Sequence, residues 1–454
     1  MNRQHHRPAG LPGQASAPPS LFRQQAISLY RAGRHQEALQ TCRQALALAP
    51  KQADLLALAG LIAMELRQVE EAAGFYEAAV AAKRDFAEAH YNLGIALTEL
   101  GRTEEAVAAY RRAAKLRPDL LPIHNNLGNA LQSLGQWEGA EQAYRRGLAL
   151  APDNAELQRN LGTVLQASGK IDEALAACRR AVALKPGWSL AQSTLANLLV
   201  ETGAPREVVA ACDAWLAQCP GTIEAIGLKS VALDELGERA AARYLVDLDR
   251  FVRVLHFERP PAGYASMRDF NAALAQHALA HPTLTLPAES DPRYHCPTLR
   301  ITGEFLAEPK GPAAALEAMM NEAVSDYITG ISAQDREHPY LANPPRRWRL
   351  TSWAAVLDRQ GSLEPHIHYD GYVSGVYYCH MPAEIGASDE SEAGWFELGR
   401  LPERVGSAAA PEICAIRPRE GMMILFPSYF YHRTVPFEAA EPRISIAFDA
   451  APLG

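Results

Sequence analysis

The first half of the chain repeats itself every 34 residues, and that period constrains the fold more than any other feature. Gly60, Gly94, Gly128 and Gly162 share one register, with Ala26 and Ala196 on it. Ala38, Ala72, Ala106, Ala140 and Ala174 form a second column, and Gly101, Gly135, Gly169, Gly203 and Gly237 a third. Pro118, Pro152, Pro186 and Pro220 form a fourth. Columns of small residues and breakers with one period predict a helix pair per unit. The small residue at the eighth position lets the two helices approach. The glycine at the fifteenth turns the chain between them, and the alanine at the twentieth packs on the first helix. The late proline stops the second helix.

The unit "AEAHYNLGIALTELGRTEEAVAAYRRAAKLRPDL" shows all of this. It resembles the tetratricopeptide repeat, and about seven units fit between residues 19 and 252. The resemblance implies an N-terminal α-solenoid whose inner groove, lined by first helices, holds a peptide. Asn92, Asn126 and Asn160 stand at one position in three successive units, with Asn129 one turn beyond Asn126. Aligned amides of this kind bond the backbone of an extended peptide without reading its sequence; the bland alternative is polar residues solvating a groove. The arrangement resembles the asparagine ladder of O-linked N-acetylglucosamine transferases. No glycosyltransferase domain follows, so only the groove likeness carries over.

At 454 residues the chain is too long for one ordinary core. Residues 1–18, rich in Pro, Gly, Ser and Ala without an apolar run, read as a disordered tail rather than a signal peptide. The net charge of −8 argues against a nucleic-acid or anionic-membrane binder. No apolar stretch reaches the roughly 18 residues of a membrane span. Seven scattered cysteines without a C-x-x-C pair fit free thiols in a reducing cytoplasm.

Beyond Pro260 and Pro261 the 34-residue beat is gone, and residues 253–454 form a second domain. A helical stretch, "GPAAALEAMMNEAVSDYI", precedes short β-rich runs: "RLTSWAAVL", "SGVYYCH", "GWFELG", "GMMILF" and "RISIAF". Many short strands without helices between them predict a sandwich or jelly roll braced by that helix.

The densest chemistry lies in "HIHYDGYVSGVYYCH", residues 366–380. His366, His368 and Asp370 are two residues apart, so in an extended chain they share a face. "PREGMMILFPSYFYHRTVPF" then places His432 after a buried-looking strand, and "RISIAFD" puts Arg443 and Ser445 on one strand face. A lone histidine near a strand end is usually a surface residue. Three candidates in five positions, followed by a distal histidine and Arg-x-Ser, are not that case. Two histidines with a carboxylate, or three histidines, make a facial set for Fe(II). Arg-x-Ser offers a guanidinium and a hydroxyl to a distal carboxylate.

The ordered set His-x-His, Ser-Gly-Val-Tyr-Tyr, Phe-Pro-Ser, His and Arg-Ile-Ser resembles the 2-oxoglutarate and Fe(II)-dependent oxygenases, over roughly residues 255–454. The resemblance implies a double-stranded β-helix, with Fe(II), 2-oxoglutarate and O2 as its reagents. It carries His368 and His432 over as iron ligands in either of two registers. The general His-x-Asp pattern makes Asp370 the third ligand; the narrower His-x-His pattern makes it His366. Aspartyl/asparaginyl hydroxylases, which have glycine where the carboxylate should be, support the second. Arg443 and Ser445 would anchor 2-oxoglutarate, joined by Tyr377 or Tyr378, which lie on opposite faces of one strand. Trp395 and Tyr431 are expected in the core or pocket wall. His277 and His281 of "HALAH" lack a following glutamate and are read as structural.

The expectation is an Fe(II)/2-oxoglutarate oxygenase hydroxylating a protein or peptide recruited by the repeats. The alternatives are the same chemistry on a small molecule, or a peptide-binding scaffold without turnover.

Overall fold

The computed structural model describes residues 19–287, 298–332, 335, 337–358, 360–368, 371–385, 391–402 and 412–453. The tail read over 1–18 and Asp370 lie outside the described residues. Two compact units meet at Leu184/Lys185.

The first unit is a stack of helix pairs. These are α1 (Pro19–Arg31) with α2 (His35–Leu48), α3 (Ala53–Glu65) with α4 (Val69–Ala82), and α5 (Ala87–Glu99) with α6 (Thr103–Leu116). Then come α7 (Leu121–Ser133) with α8 (Trp137–Leu150) and α9 (Ala155–Ala167) with α10 (Ile171–Leu184). The eighth-position glycine column has a steric cause. A Cβ on Gly60, Gly94 or Gly128 would sit 2.7, 2.5 or 2.4 Å from the ring of Tyr76, Tyr110 or Tyr144, so the bare backbone is the seat of the next helix's tyrosine. Three units fill the tyrosine position with Cys42, Cys178 and Cys212, all buried, opposite Ala26, Gly162 and Ala196. These thiols are core packing, and burial pushes Cys42 and Cys178 up to about 11 and Cys212 to about 12.

The turn glycines are left-handed: Gly101, Gly135, Gly169, Gly203 and Gly237 have φ between 63 and 75°. In the second repeat that position is Arg67, which adopts φ 59°.

The second unit opens with two more helix pairs, α11 (Ser189–Glu201) with α12 (Pro205–Gln218) and α13 (Ile223–Glu235) with α14 (Arg239–Leu245). After α15 (Leu248–Phe251) come β1 (Arg253–His256), α16 (Met267–Leu279), β2 (Leu299–Ile301) and α17 (Ala313–Ser332). The strands β3 (Trp348–Leu357), β4 (Gln360–His366), β5 (Val373–His380) and β6 (Phe396–Leu398) follow. The last are β7 (Cys414–Ile416), β8 (Met422–Pro427), β9 (His432–Glu438) and β10 (Arg443–Pro452).

The strands form two antiparallel sheets, β1-β8-β5-β10-β3-β2 and β4-β9-β6-β7, as a jelly roll requires. Strand β10 shows how the alternation is used. Ile444, Ile446, Phe448 and Ala450 join a core with Phe270 and Leu274 of α16 and Leu316, Met320 and Val324 of α17. The intervening Arg443, Ser445 and Asp449 occupy the opposite face. The same core takes in Ile223, Ile226, Leu233 and Leu245, so the last helix pair is welded to the sheets.

Two substitutions test these causes by urea denaturation of the full chain. Arg67→Gly relieves a left-handed arginine and is expected to stabilise by about 1 kcal/mol. Gly128→Ala drives a methyl into the Tyr144 ring and is expected to cost about 1–3 kcal/mol.

Candidate metal centre

Strand pairing assembles the cluster. His366, the last residue of β4, lies directly across from His432, the first of β9. His368 follows β4, and its backbone N–H donates to Ser428 O at 3.0 Å. The side-chain ligand atoms of His366, His368 and His432 all lie within 4.8 Å of one another. No other group of three or more His, Cys, Asp or Glu side chains gathers so closely among the described residues. All three imidazoles are buried; Trp353 lies against His368, and Phe426 and Phe396 lie against His432.

Each ring is tied through Nδ1. His366 donates to Glu364 O at 2.8 Å, His432 to Phe430 O at 3.0 Å, and His368 to Asp449 Oδ1 at 2.8 Å. Carbonyl and carboxylate oxygens only accept, so Nδ1 carries the proton and the lone pair sits on Nε2. That is how proteins orient imidazole for a metal. His368 Nε2 is buried and has no hydrogen-bond partner among the described residues. A buried, orphaned lone pair beside two more imidazoles fits a cation.

Asp449 is held in turn by the Ser374 hydroxyl at 2.6 Å, which lies 2.9 Å from Ser428 Oγ. Sequence reasoning missed Asp449 and Ser374. Their signal was available: Asp449 continues the alternation of Arg443 and Ser445, and Ser374 opens the quoted "SGVYYCH" run.

The same face of β10 carries the second polar group. Arg443 is 1% exposed, its guanidinium lies over the Tyr378 ring at 5.0 Å, and no carboxylate pairs with it among the described residues. Among the described residues, neither Arg443 Nε nor Tyr378 Oη, both buried, has a hydrogen-bond partner. Burial loosens the guanidinium's hold on its proton, opposed by Tyr378. Burial pushes the phenol up to about 12, against the pull of Arg443, so both groups remain donors. Ser445, also buried, sits opposite Tyr378 in the β10–β5 register. Tyr377 points the other way and donates to Asn271 Oδ1 of α16 at 2.6 Å.

The groove asparagines are arranged differently from an open ladder. Asn126 donates to Tyr91 Oη at 3.2 Å, and Asn160 donates to the amide oxygens of Asn125 and Asn129 at 3.3 Å each. Tyr144 Oη donates to Asn129 at 2.7 Å, and Asn160 is buried. These amides tie successive units to one another; Asn92 is half-buried. His277 packs on Phe305, and His281 Nδ1 lies 2.9 Å from Thr283 Oγ1.

Two kinds of family model match the chain. The family model described as "Putative 2OG-Fe(II) oxygenase" matches residues 351–449. Tetratricopeptide-repeat models match residues 23–85, 95–135 and 125–187. A search of the curated proteins finds no match. Among solved structures, the chain is similar to the MamA protein, at 21% identity over 37% of this chain and 92% of that one, with a TM-score of 0.36. It is also similar to YrrB, titled a TPR protein with an unusual peptide-binding site, at 20% identity over 41% of this chain and 97% of that one, with a TM-score of 0.38.

Burial holds His432 well below its ordinary pKa of 6.5, with His366 and His368 adding repulsion. The unfolded chain therefore binds a proton at this residue that the folded chain refuses, so stability falls as pH drops below 6.5. Chelator-treated protein is expected to lose up to about 1.4 kcal/mol per pH unit from this one residue. Thermal melts between pH 7.5 and 5.5 measure the slope, and His432→Gln is expected to flatten it.

Proposed function

We propose that the chain is an Fe(II)- and 2-oxoglutarate-dependent dioxygenase that hydroxylates a side chain of a protein or peptide recruited by its repeats. The observation that carries this is Arg443: a buried guanidinium that no carboxylate pairs with among the described residues, on the strand face that also presents Asp449 to His368. A buried cation left unpaired costs about 3–5 kcal/mol. A dicarboxylate cosubstrate completes it, with Arg443 taking the charge of the distal carboxylate and Tyr378 and Ser445 its oxygens. A lone metal-binding role would leave this group unexplained.

In this reading His366, His368 and His432 hold the iron, and Asp370 is the alternative third ligand. Bound Fe(II) supplies the O2-dependent oxidative decarboxylation of 2-oxoglutarate to succinate and CO2, coupled to hydroxylation of a C–H bond. The protein's own part is orientation and exclusion of water. Three carbonyl or carboxylate acceptors fix the imidazole tautomers, and Phe396, Phe426 and Trp353 wall the cluster. The protonated Tyr378 hydroxyl donates toward the anion pocket without giving up its proton. Among the described residues the cysteines are free and mostly buried, which supports a reducing, cytoplasmic setting.

The engaged amides of Asn126, Asn129 and Asn160 favour a second reading, the same chemistry on a small molecule with the repeats serving assembly. Succinate release stimulated by a peptide library, and reduced in Asn92→Ala/Asn126→Ala, supports the protein substrate; stimulation unaltered by that change supports the small molecule.

The enzyme reading is tested by mixing protein anaerobically with Fe(II) and 2-oxoglutarate. A metal-to-ligand charge-transfer band is expected, followed by succinate on admission of air; folded protein giving neither sinks the proposal. Arg443→Gln, which loses charge-assisted bonds of about 1.5–3 kcal/mol, is expected to raise the KM for 2-oxoglutarate about 10- to 100-fold. His366→Ala and Asp370→Ala, compared for iron content, identify the third ligand as the one whose loss empties the site.

A further inference from the structure

The turn Pro427–Phe430, which leads from β8 into β9, touches two of the three histidines, one through its backbone and one through its ring. Ser428 O accepts the His368 backbone N–H at 3.0 Å, and Phe430 O accepts His432 Nδ1–H at 3.0 Å. Between them, Tyr429 is 1% exposed and turns into the last helix pair. Its hydroxyl donates to Leu245 O, the C-terminal residue of α14, at 2.6 Å. Its Cβ faces Gly227 of α13, where an added Cβ would lie only 3.3 Å away. The same point on α13 is 3.9 Å from Ile367 Cδ1, and Ile367 is the residue between His366 and His368. One helix thus backs both ligand-bearing segments. Gly227 takes the place held by Tyr91, Asn125, Arg159 and Ser193 in the four preceding units, and it brings no side chain there.

We propose that the seventh repeat unit is part of the frame of the metal centre, with Tyr429 as the positioning residue. It holds the 427–430 turn against α13 and α14 and so sets His432 relative to His368. This rests on reading the three imidazoles as metal ligands.

The test is anaerobic Co(II) titration of the full chain, following the cobalt d–d absorption, with melting temperature as a separate measure. Wild type is compared with Tyr429→Phe, Gly227→Ala and a matched control, Tyr144→Phe, which removes a buried tyrosine hydroxyl bond from the fourth unit. Direct partners of ligating histidines typically matter about 10- to 100-fold, and Tyr429 acts one step further out. Tyr429→Phe is therefore expected to weaken Co(II) binding roughly 3- to 10-fold and to alter the d–d spectrum. Gly227→Ala moves both in the same direction, and the double variant loses less than the two effects combined. Tyr144→Phe leaves affinity and spectrum unchanged. Wild-type affinity and spectrum in both Tyr429→Phe and Gly227→Ala overturn the proposal, as does an equal loss in Tyr144→Phe. If one of the two variants fails to fold, the other decides. A wild-type chain that takes up no cobalt overturns the metal reading along with it, whereas uptake with insensitive variants overturns this inference alone.

Discussion

The register between β4 and β9 is the constraint on which the chemistry of the second unit depends, because it sets His366 across from His432 with ring centroids 4.3 Å apart. Side chains alternate along a strand, so a slip of one residue would turn one of the two imidazoles away from the other. The register is not secured by a regular ladder: it shifts between Gly361 and Leu363 and again between Leu363 and His366. What fixes it is the apolar packing at its far end, where Phe437 joins Leu357, Ala355 and Leu299, and the turn that ties His368 to Ser428. The ligand end of the strand pair is thereby specified from both sides.

The buried polar groups of this unit fall into two kinds. Glu397 is 1% exposed, but it pairs with Arg400 and with Arg433 at 2.8 Å, a closed set within the protein. Its carboxyl is held below the ordinary range by those two guanidiniums, which outweigh its burial. Among the described residues, His368 Nε2, Arg443 Nε and Tyr378 Oη have no such closure, nor do the scattered Trp215 Nε1, His277 Nε2 and Trp395 Nε1. Each unsatisfied buried group costs about 1–3 kcal/mol. Arg443 and Tyr378 sit on the paired strands β10 and β5, and His368 is tied to Asp449 on the Arg443 face of β10, so these three gather at one face and are held open for something other than stability.

Most of the repeat array was legible in the sequence, because its causes are local and recur. The glycine at the eighth position and the left-handed glycine at the fifteenth act within one unit, and Cys42, Cys178 and Cys212 fall on the tyrosine column once that column is drawn. In the second half the apolar runs of β3, β5, β6, β8 and β10 were readable, whereas β4 and β9 were not. Pro365 and Pro436 interrupt them, and proline inside a run argues against a strand. Those are the two strands that carry His366 and His432, so the motif spacing revealed the site while hiding its scaffold. The packing of α13 into the sheet core was invisible for another reason: periodicity reports which face of a helix is apolar, not what covers it. The engagement of Asn160 with Asn125 and Asn129 likewise depends on contacts between units.

The welded last helix pair has a consequence for how such a chain can change over generations. A repeat array ordinarily gains or loses units anywhere, since each unit contacts only its neighbours. Here Ile223, Ile226, Leu233 and Leu245 share a core with the strands, and Leu245 O receives the Tyr429 hydroxyl. Duplication or loss of a unit at that end would separate those partners. The array is free to grow or shrink among the units before α11, and its reach can vary while its root stays fixed.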